Sequence, residues 1–182
     1  MTNPHKQRKG VTVWITGLPC SGKTTVANRA ADYLRTKCYM VERLDGDIVR
    51  RDLTKDLGFS RQDRDENLKR VTEIARQLTN KGNIVFATFV SPYRDRRDKA
   101  RTAIHSFLEV YARCPLEVCK QRDVKGMYKL ALAGKLHGFT GVDDPYEEPL
   151  HPDLIIDTDT ETIEESAAKI LSLLKDHGYI TE

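Results

Sequence analysis

Residues 17–24 read GLPCSGKT, in which a glycine, four further residues, a second glycine, a lysine and a threonine follow one another. The apolar, β-branched run VTVWIT precedes this stretch, and the helix-like segment TVANRAADYL follows it. Glycines at these places let successive backbone N–H groups turn toward one anion, and the start of a helix adds a favourable dipole. The stretch therefore predicts a strand, a phosphate-binding loop (P-loop) and a helix, the first unit of an α/β fold.

The P-loop residues are predicted to bind ATP together with Mg²⁺. Lys23 is expected to reach the β- and γ-phosphates, and the Thr24 hydroxyl to bind Mg²⁺, a hard ion that takes few protein ligands. The alternative is a structural turn without a ligand. The predicted nucleotide-binding residues of the loop are Gly17, Leu18, Pro19, Cys20, Ser21, Gly22, Lys23, Thr24 and Thr25, and Arg122 is added to them below.

Short apolar runs alternate with helix-period segments along the chain, which is the pattern of a parallel sheet with helices on both faces. Strands are predicted over 11–16, 40–44, 84–89, 107–112 and 154–157, and helices over 23–37, 64–81, 93–105, 116–122 and 162–177. A length of 182 residues suits one core. We therefore expect an α/β P-loop NTPase or kinase fold with a five-stranded parallel sheet, as one domain over 1–182 with a loose tail at 1–9.

The composition indicates a soluble protein of the cytoplasm. Charged residues make up 31% of the chain, and no apolar run approaches the roughly 18 to 20 residues that span a bilayer. The net charge of +3 is spread along the chain, so neither a nucleic acid nor a membrane partner is implied. The four cysteines form no C-x-x-C pair, which favours reduced, structural thiols.

Residues 123–152 contain four glycines and three prolines before the last predicted strand. A long irregular segment inside a compact domain usually forms a lid or a binding segment, and a short helix over 127–133 is compatible with this one. The alternative is a surface excursion without a function. We expect a lid, because a phosphate-transfer site must exclude water.

Acidic residues stand at the end of the second predicted strand, in the run LDGD. Asp45 and Asp47 therefore lie at the carboxyl edge of the sheet, where open α/β sheets bind their ligands. One acid is expected to orient Mg²⁺ or its waters, and the other to accept a hydroxyl proton. Asp47 is alternatively the cap of a following helix.

The helix predicted from residue 64 carries a core-facing stripe at intervals of three and four residues. Extending that stripe backward brings Arg64 and Asn67 to the inward face. An inward arginine needs an anionic partner, which a substrate phosphate or sulfate supplies, or else an internal ion pair with Asp45, Asp47 or Asp63. The stripe consists of Leu68, Val71, Ala75 and Leu78.

Two phenylalanines, Phe59 and Phe139, each follow a glycine and precede a hydroxyl residue in loop-like sequence. Two rings on such segments can sandwich a flat base, a contact worth roughly 1 to 3 kcal/mol per base. The alternative is that both rings anchor their loops to the core.

With these residues in place, the chain resembles the adenylylsulfate kinase (APS kinase) family. These enzymes transfer the γ-phosphoryl group of ATP to the ribose 3′-hydroxyl of adenosine 5′-phosphosulfate (APS), giving ADP and 3′-phosphoadenylyl sulfate in sulfate assimilation. The resemblance runs from Gly10 over nearly the whole chain. The matching stretches are GLPCSGKT, LDGDIVR, GFSRQDRDENLKR, FVSPYRDRR, CPLEVCKQRDVKGMYKLALAGKLHGFTGVDDPYEEP and IIDTDTETIEES.

The resemblance implies a site with two stacking rings, Phe59 and Phe139, on the adenine of the acceptor. It also implies Lys125 near the transferred phosphate, Asp47 as the base or its metal-linked equivalent with Asp45 in support, and a homodimer. The implied catalytic residues are Lys23, Asp45, Asp47 and Lys125. The implied acceptor-binding residues are Asp47, Arg50, Phe59, Arg64, Asn67, Val90, Ser91, Lys125, Gly138 and Phe139.

The chain departs from the family pattern at a few positions, such as Thr24 in place of a frequent serine and His137 in place of a frequent lysine. Threonine keeps the hydroxyl of a metal ligand, so the expected reaction is unchanged. Arg122 is expected either to stabilise charge during transfer or to contact the adenine of ATP. The competing hypotheses are another small-molecule P-loop kinase, such as a nucleoside monophosphate kinase, and a nucleotide-dependent regulatory module.

Overall fold

A computed structural model describes residues 9–46, 49, 56–57 and 61–181. Five parallel strands form one sheet in the order β2-β3-β1-β4-β5. The strands are β1 (Val11–Thr16), β2 (Val41–Asp45), β3 (Ile84–Thr88), β4 (Phe107–Arg113) and β5 (Leu154–Asp157). The helices within the described residues include α1 (Lys23–Thr36), α2 (Arg61–Asn80), α3 (Arg94–Ala103), α4 (Leu116–Arg122), α5 (Met127–Leu132) and α6 (Ile163–Asp176).

The central strand β1 is buried along its whole length, because β3 and β4 flank it and helices cover both faces. Successive side chains of a strand point to opposite faces. Val13 and Ile15 accordingly join one apolar core with α1 and α6, while Trp14 joins a second core with α2 and α3. The predicted five-stranded parallel sheet with helices on both faces is confirmed.

The predicted elements agree with the observed ones, with shifts of up to three residues at their ends. Strand β2 begins one residue later than predicted and includes Asp45, and α2 begins at Arg61 instead of residue 64. The predicted stripe of α2 packs into the second core, with Val71 and Ala75 buried and Leu68 and Leu78 partly buried. In the described part of the chain, no helix is long and apolar enough to cross a membrane.

A third apolar cluster joins the segment 123–152 to the P-loop. Its buried members are Cys114, Cys119 and Tyr128. Partly buried side chains from the P-loop, α4 and residues 138–144 pack against them, namely Leu18, Cys20, Leu116, Val118, Phe139 and Val142. We call residues 138–144 the acceptor turn, after the role predicted for Phe139 from the sequence. The segment that the sequence marked as irregular thus lies on the body of the fold, beside the phosphate loop.

Candidate active site

A cavity of about 810 Å³ opens at the carboxyl edge of the sheet. Its wall runs from the P-loop and α1, past the ends of β2 and β3, to α2 and the segment 123–152. Ligands of open α/β sheets bind at this edge. Of the residues predicted from the sequence, the wall contains Pro19, Cys20, Gly22, Lys23, Thr24, Thr25, Asp45, Arg64, Asn67, Val90, Ser91, Arg122, Lys125 and Phe139.

The P-loop needs its two glycines for different reasons. A Cβ on Gly17 would lie 2.5 Å from the Ala112 carbonyl oxygen, so a side chain would push the loop off β4. Gly22 has φ 80° and directly precedes α1, in a left-handed conformation that side chains disfavour. The loop therefore leaves β1 tightly and presents the N-terminus of α1 to the cavity, as an anion site requires.

Lys23 curls over the loop that precedes it. Its Nζ donates to the carbonyl oxygens of Gly17 at 3.0 Å and Leu18 at 2.6 Å, and to Ser21 Oγ at 3.2 Å. Lys23 is 8% exposed and lines the cavity. The ammonium group therefore lies at the cradle itself, where it can meet the charge of a bound phosphate.

Thr24 and Asp45 form the second polar feature of the cradle. Thr24 Oγ1 donates to Asp45 Oδ2 at 2.6 Å, and Thr88 Oγ1 donates to the same oxygen at 3.0 Å. A hydroxyl and a carboxylate are the hard oxygen ligands that Mg²⁺ prefers. Thr24 and Asp45 therefore fit a magnesium ion beside the bound phosphates. The contribution of Thr88 was not predicted from the sequence.

Arg122 marks the end of the cavity next to β5. Its Nη2 donates to the Thr158 carbonyl at 2.6 Å, and its Nη1 lies 3.6 Å from Cys114 Sγ. Thr158 Oγ1 in turn donates to the Ser21 carbonyl of the P-loop at 2.9 Å. Arg122 is thus placed beside the phosphate loop on the side away from α2, where a nucleotide base or ribose can reach it.

Arg64 lies on the opposite side of the cavity, on α2. Its Nη1 is 3.0 Å from Asp144 Oδ2 and 3.2 Å from Thr140 Oγ1, and its other terminal nitrogen donates to the Gly138 carbonyl. Tyr93 Oη donates to the second oxygen of Asp144 at 2.8 Å. The inward orientation predicted for Arg64 is confirmed, but the acid observed here, Asp144, was not among the partners proposed from the sequence.

Phe139 sits on a turn that a neighbouring carboxylate closes. The N–H groups of Gly138 and Phe139 donate to Asp143 at 2.7 and 2.6 Å. These two bonds hold the pKa of the Asp143 carboxyl below its usual value. The ring both lines the cavity and meets Tyr128 edge-on, with the ring centroids 4.9 Å apart.

Ser91 follows β3 in a left-handed conformation with φ 38°. Trp14 Nε1 donates to its Oγ at 3.1 Å, and that hydroxyl donates to Thr16 Oγ1 at 3.1 Å. Arg97, which is buried, donates to the Ser91 carbonyl at 2.7 Å. Val90 and Ser91 are therefore fixed at the cavity wall by the core beneath them.

Not every predicted residue belongs to that wall. Within the described chain, Gly17 and Ser21 are buried in the loop, Leu18 lines a neighbouring cavity of about 520 Å³, and Gly138 contributes its carbonyl to Arg64. Three predicted residues, Asp47, Arg50 and Phe59, lie outside the described residues. Their roles stay predictions.

The sequence reasoning missed the two acids that organise the acceptor turn, Asp143 and Asp144. The available signal was an Asp-Asp run next to glycines, since aspartates in turns often bond to nearby backbone N–H groups. The pairing of Asp144 with Arg64 had no local signal, because the two residues lie 80 positions apart.

Residues 9–157 match the family model described as adenylylsulphate kinase. The chain belongs to the adenylylsulphate kinase family. Its relatives within the adenylylsulphate kinase family include the adenylyl-sulfate kinase of Halothermothrix orenii, which is 54% identical over 175 residues, or 96% of this chain and 95% of that one. The family resemblance inferred from the motifs is thereby confirmed.

Solved structures of adenylylsulphate kinases have the same fold. The APS kinase CysC of Mycobacterium tuberculosis, in complex with AMPPNP and APS, has a TM-score of 0.89 and 40% identity, covering 92% of this chain and 98% of that one. The hexameric APS kinase of Thiobacillus denitrificans has a TM-score of 0.73 and 33% identity, covering 98% of this chain and 31% of that one. The predicted P-loop kinase fold is confirmed.

Proposed function

We propose that the protein transfers the γ-phosphoryl group of ATP to the 3′-hydroxyl of adenosine 5′-phosphosulfate. One observation carries the proposal. A single cavity has the P-loop with Lys23 on one side and Arg64 with Phe139 on the other, in a chain of the adenylylsulphate kinase family. A cavity of about 810 Å³ has the volume range of small-molecule sites.

The P-loop forms the donor side. Backbone N–H groups of residues 17–24 and the start of α1 bind the phosphates, and Lys23 neutralises their charge. Arg122 contacts the nucleotide at the far end. Because little covalent chemistry falls to the protein in phosphoryl transfer, these groups act by positioning and by charge stabilisation.

Thr24 and Asp45 are the residues that would hold Mg²⁺, since their oxygens are 2.6 Å apart at the cradle. The ion, when bound, neutralises charge on the β- and γ-phosphate oxygens. The hydrogen bond with Asp45 also orients the Thr24 hydroxyl. Asp47 is proposed to accept the proton of the acceptor hydroxyl, on the basis of the family resemblance.

The acceptor side uses a stacking ring and a cation. Phe139 is proposed to stack on the adenine of the acceptor, with Phe59 opposite, while Arg64, Asn67 and Arg50 meet its phosphosulfate or ribose. The placement of Arg64 supports this, because its ion pair with Asp144 and its bond to the Gly138 carbonyl hold the guanidinium at the cavity wall beside Phe139. Lys125, Val90 and Ser91 complete the wall, and the segment 123–152 is proposed to act as a lid.

An acceptor screen tests the function. Purified protein with MgATP and adenosine phosphosulfate is expected to form ADP and the 3′-phosphorylated product, whereas AMP, gluconate and shikimate are poor acceptors. Equal or faster use of AMP would overturn the assignment. Lys23→Ala should abolish turnover, and Lys175→Ala, an exposed lysine of α6, is the matched control.

The role of Asp47 requires its own variant. Asp47→Asn should lower kcat by roughly 100-fold or more, the scale of general-base contributions, with little change in the affinity for ATP. Unchanged turnover would remove Asp47 from the catalytic residues.

We further propose that the protein is a homodimer and lies in the cytoplasm. Light scattering on the purified protein tests the homodimer, because it measures the mass of the particle in solution.

A further inference from the structure

Tyr128 contacts both the P-loop and the acceptor turn, although it does not line the cavity itself. It is the second residue of α5 and is 1% exposed. Its hydroxyl contacts the P-loop, and its ring contacts the acceptor turn. A buried side chain that contacts both sides can make the position of one depend on the other.

On the donor side, Tyr128 Oη donates to the Pro19 carbonyl at 3.1 Å. A trans peptide is planar, so its carbonyl and the following N–H point in opposite directions. Fixing the Pro19 carbonyl toward Tyr128 therefore fixes the Cys20 N–H away from it. Cys20 lines the cavity and has φ 62°, a backbone conformation that residues other than glycine rarely adopt. The hydrogen bond from Tyr128 therefore sets the orientation of a peptide unit in an uncommon conformation.

On the acceptor side, the Tyr128 ring meets Phe139 edge-on, with the ring planes at 84° and the centroids 4.9 Å apart. This is a preferred aromatic geometry. The turn after Phe139 approaches the same place, because a Cβ on Gly141 would lie 3.1 Å from Leu18 and 3.7 Å from Tyr128 Oη. The acceptor ring is therefore packed onto the residue that holds the phosphate loop.

The backbone of Tyr128 is also held in place by hydrogen bonds. Asp123 accepts hydrogen bonds from the N–H groups of Tyr128 and Lys129, both at 3.0 Å. Burial raises the pKa of the Tyr128 hydroxyl, so the phenol stays a hydrogen-bond donor over the pH range of the reaction. The protonated hydroxyl can therefore donate to the Pro19 carbonyl at neutral pH.

We propose that Tyr128 is a positioning residue that couples nucleotide binding at the P-loop to acceptor binding at Phe139. When a nucleotide orders the P-loop, the Pro19 carbonyl holds the Tyr128 hydroxyl in place. The Tyr128 ring in turn holds the Phe139 ring, on which the acceptor stacks. The inference rests on the proposed function, because it takes Phe139 as the ring on which the acceptor stacks.

The test measures the affinity for adenosine phosphosulfate by calorimetry, with and without AMPPNP and Mg²⁺. In the wild-type protein AMPPNP should raise that affinity about fivefold or more, the usual scale of coupling between sites. Tyr128→Phe keeps the ring and removes the hydroxyl. It should bring the factor to about one, while the affinity for adenosine phosphosulfate alone stays within about twofold.

Tyr39→Phe is the matched control, because it removes a hydroxyl that accepts the Thr181 N–H at 3.0 Å, near the C-terminus. This variant should keep the wild-type coupling factor. A merely structural role for Tyr128 would lower the stability and leave the ratio of the two affinities unchanged, and that result would overturn the inference.

Hydrogen exchange on the wild-type protein provides a measurement that needs no variant. AMPPNP alone should slow amide exchange in residues 138–144, and unchanged exchange there would overturn the coupling. If wild-type protein phosphorylates adenosine phosphosulfate but Tyr128→Phe retains full coupling, only the role of Tyr128 is wrong. If wild-type protein neither binds nor phosphorylates it, the proposed function fails as well.

Discussion

Thr24 Oγ1 donates a 2.6 Å hydrogen bond to Asp45 Oδ2, which joins the first turn of α1 to the carboxyl end of β2. Thr88 Oγ1, at the end of β3, donates to the same carboxylate oxygen at 3.0 Å. Asp45 is 9% exposed, so a charged group is held almost out of water beside the phosphate cradle. Such a carboxylate needs hydrogen-bond donors in the absence of a ligand and is well placed to orient a metal ion and its waters.

Asp45→Asn tests that role. Replacing the carboxylate with an amide keeps the shape but removes the negative charge. Residues that orient a metal site typically cost 10- to 100-fold in metal affinity when changed, so the Mg²⁺ concentration for half-maximal turnover should rise by about that factor. Asp32→Asn, an exposed acid of α1, is the control and should not shift the Mg²⁺ curve. A wild-type Mg²⁺ curve for Asp45→Asn would contradict the metal role.

Phe139→Leu tests the stacking platform. Loss of base stacking costs roughly 1 to 3 kcal/mol, so the KM for adenosine phosphosulfate should rise by about 5- to 150-fold with little change in the KM for ATP. Val142→Ala is the control, since Val142 packs in the same cluster but contributes no ring. An equal rise in both variants would mean that packing of the turn, and not stacking, is what matters.

Asp143→Asn tests the carboxylate that closes the acceptor turn. The N–H groups of Gly138 and Phe139 lower the pKa of Asp143, so its folded pKa lies below that of the unfolded chain. Such a group stabilises the fold at a pH above the unfolded value of about 4, and this contribution disappears as the pH falls through the folded value. The difference in melting temperature between wild type and Asp143→Asn should therefore be largest near neutral pH and shrink below about pH 4.

The same comparison in a His137→Gln background isolates this effect, because His137 Nδ1 lies 3.9 Å from Asp143 Oδ2. The pH dependence should persist without the imidazole. A difference that stays constant from pH 7 to 3 would show that the carboxylate charge contributes nothing to the turn.

Local patterns in the sequence predict the scaffold of this site well. The P-loop context predicted β1 and α1, and the apolar stripe of α2 predicted which face carries Arg64 and Asn67. These features succeed because hydrophobic period and turn chemistry act over a few residues. The second strand was predicted over 40–44 and is observed at Val41–Asp45, so its position is correct to within one residue.

Contacts between distant segments could not be predicted from these local patterns. Asp144 meets Arg64 and Tyr93 only because the segment 123–152 folds back over the sheet edge, and nothing local in the sequence specifies that path. The bond between Tyr128 and Pro19 spans 109 positions for the same reason. Side chains that connect segments depend on the tertiary fold, so a single sequence indicates their chemistry but not their partners.

The buried ion pair of Arg97 and Glu109 supports the cavity wall at Ser91. Arg97 is 2% exposed, its Nε donates to Glu109 Oε1 at 2.8 Å, and its terminal nitrogens donate to the carbonyls of Ser91 and Glu147, each at 2.7 Å. One guanidinium thus ties together β4, the wall residue Ser91 and the end of the segment 123–152.

Arg97→Met should lower the free energy of unfolding by about 3 to 5 kcal/mol, because it leaves Glu109 buried without its main partner. The double variant Arg97→Met/Glu109→Leu removes both charges and should recover much of that loss, since apolar replacement of a buried pair is often nearly neutral. Urea denaturation measures both, and Arg76→Met, in an exposed pair with Glu73, should leave the stability nearly unchanged. An equal loss in the single and double variants would instead assign the cost to the lost bonds with the carbonyls of Ser91 and Glu147, and Arg97 would then chiefly support the cavity wall at Ser91.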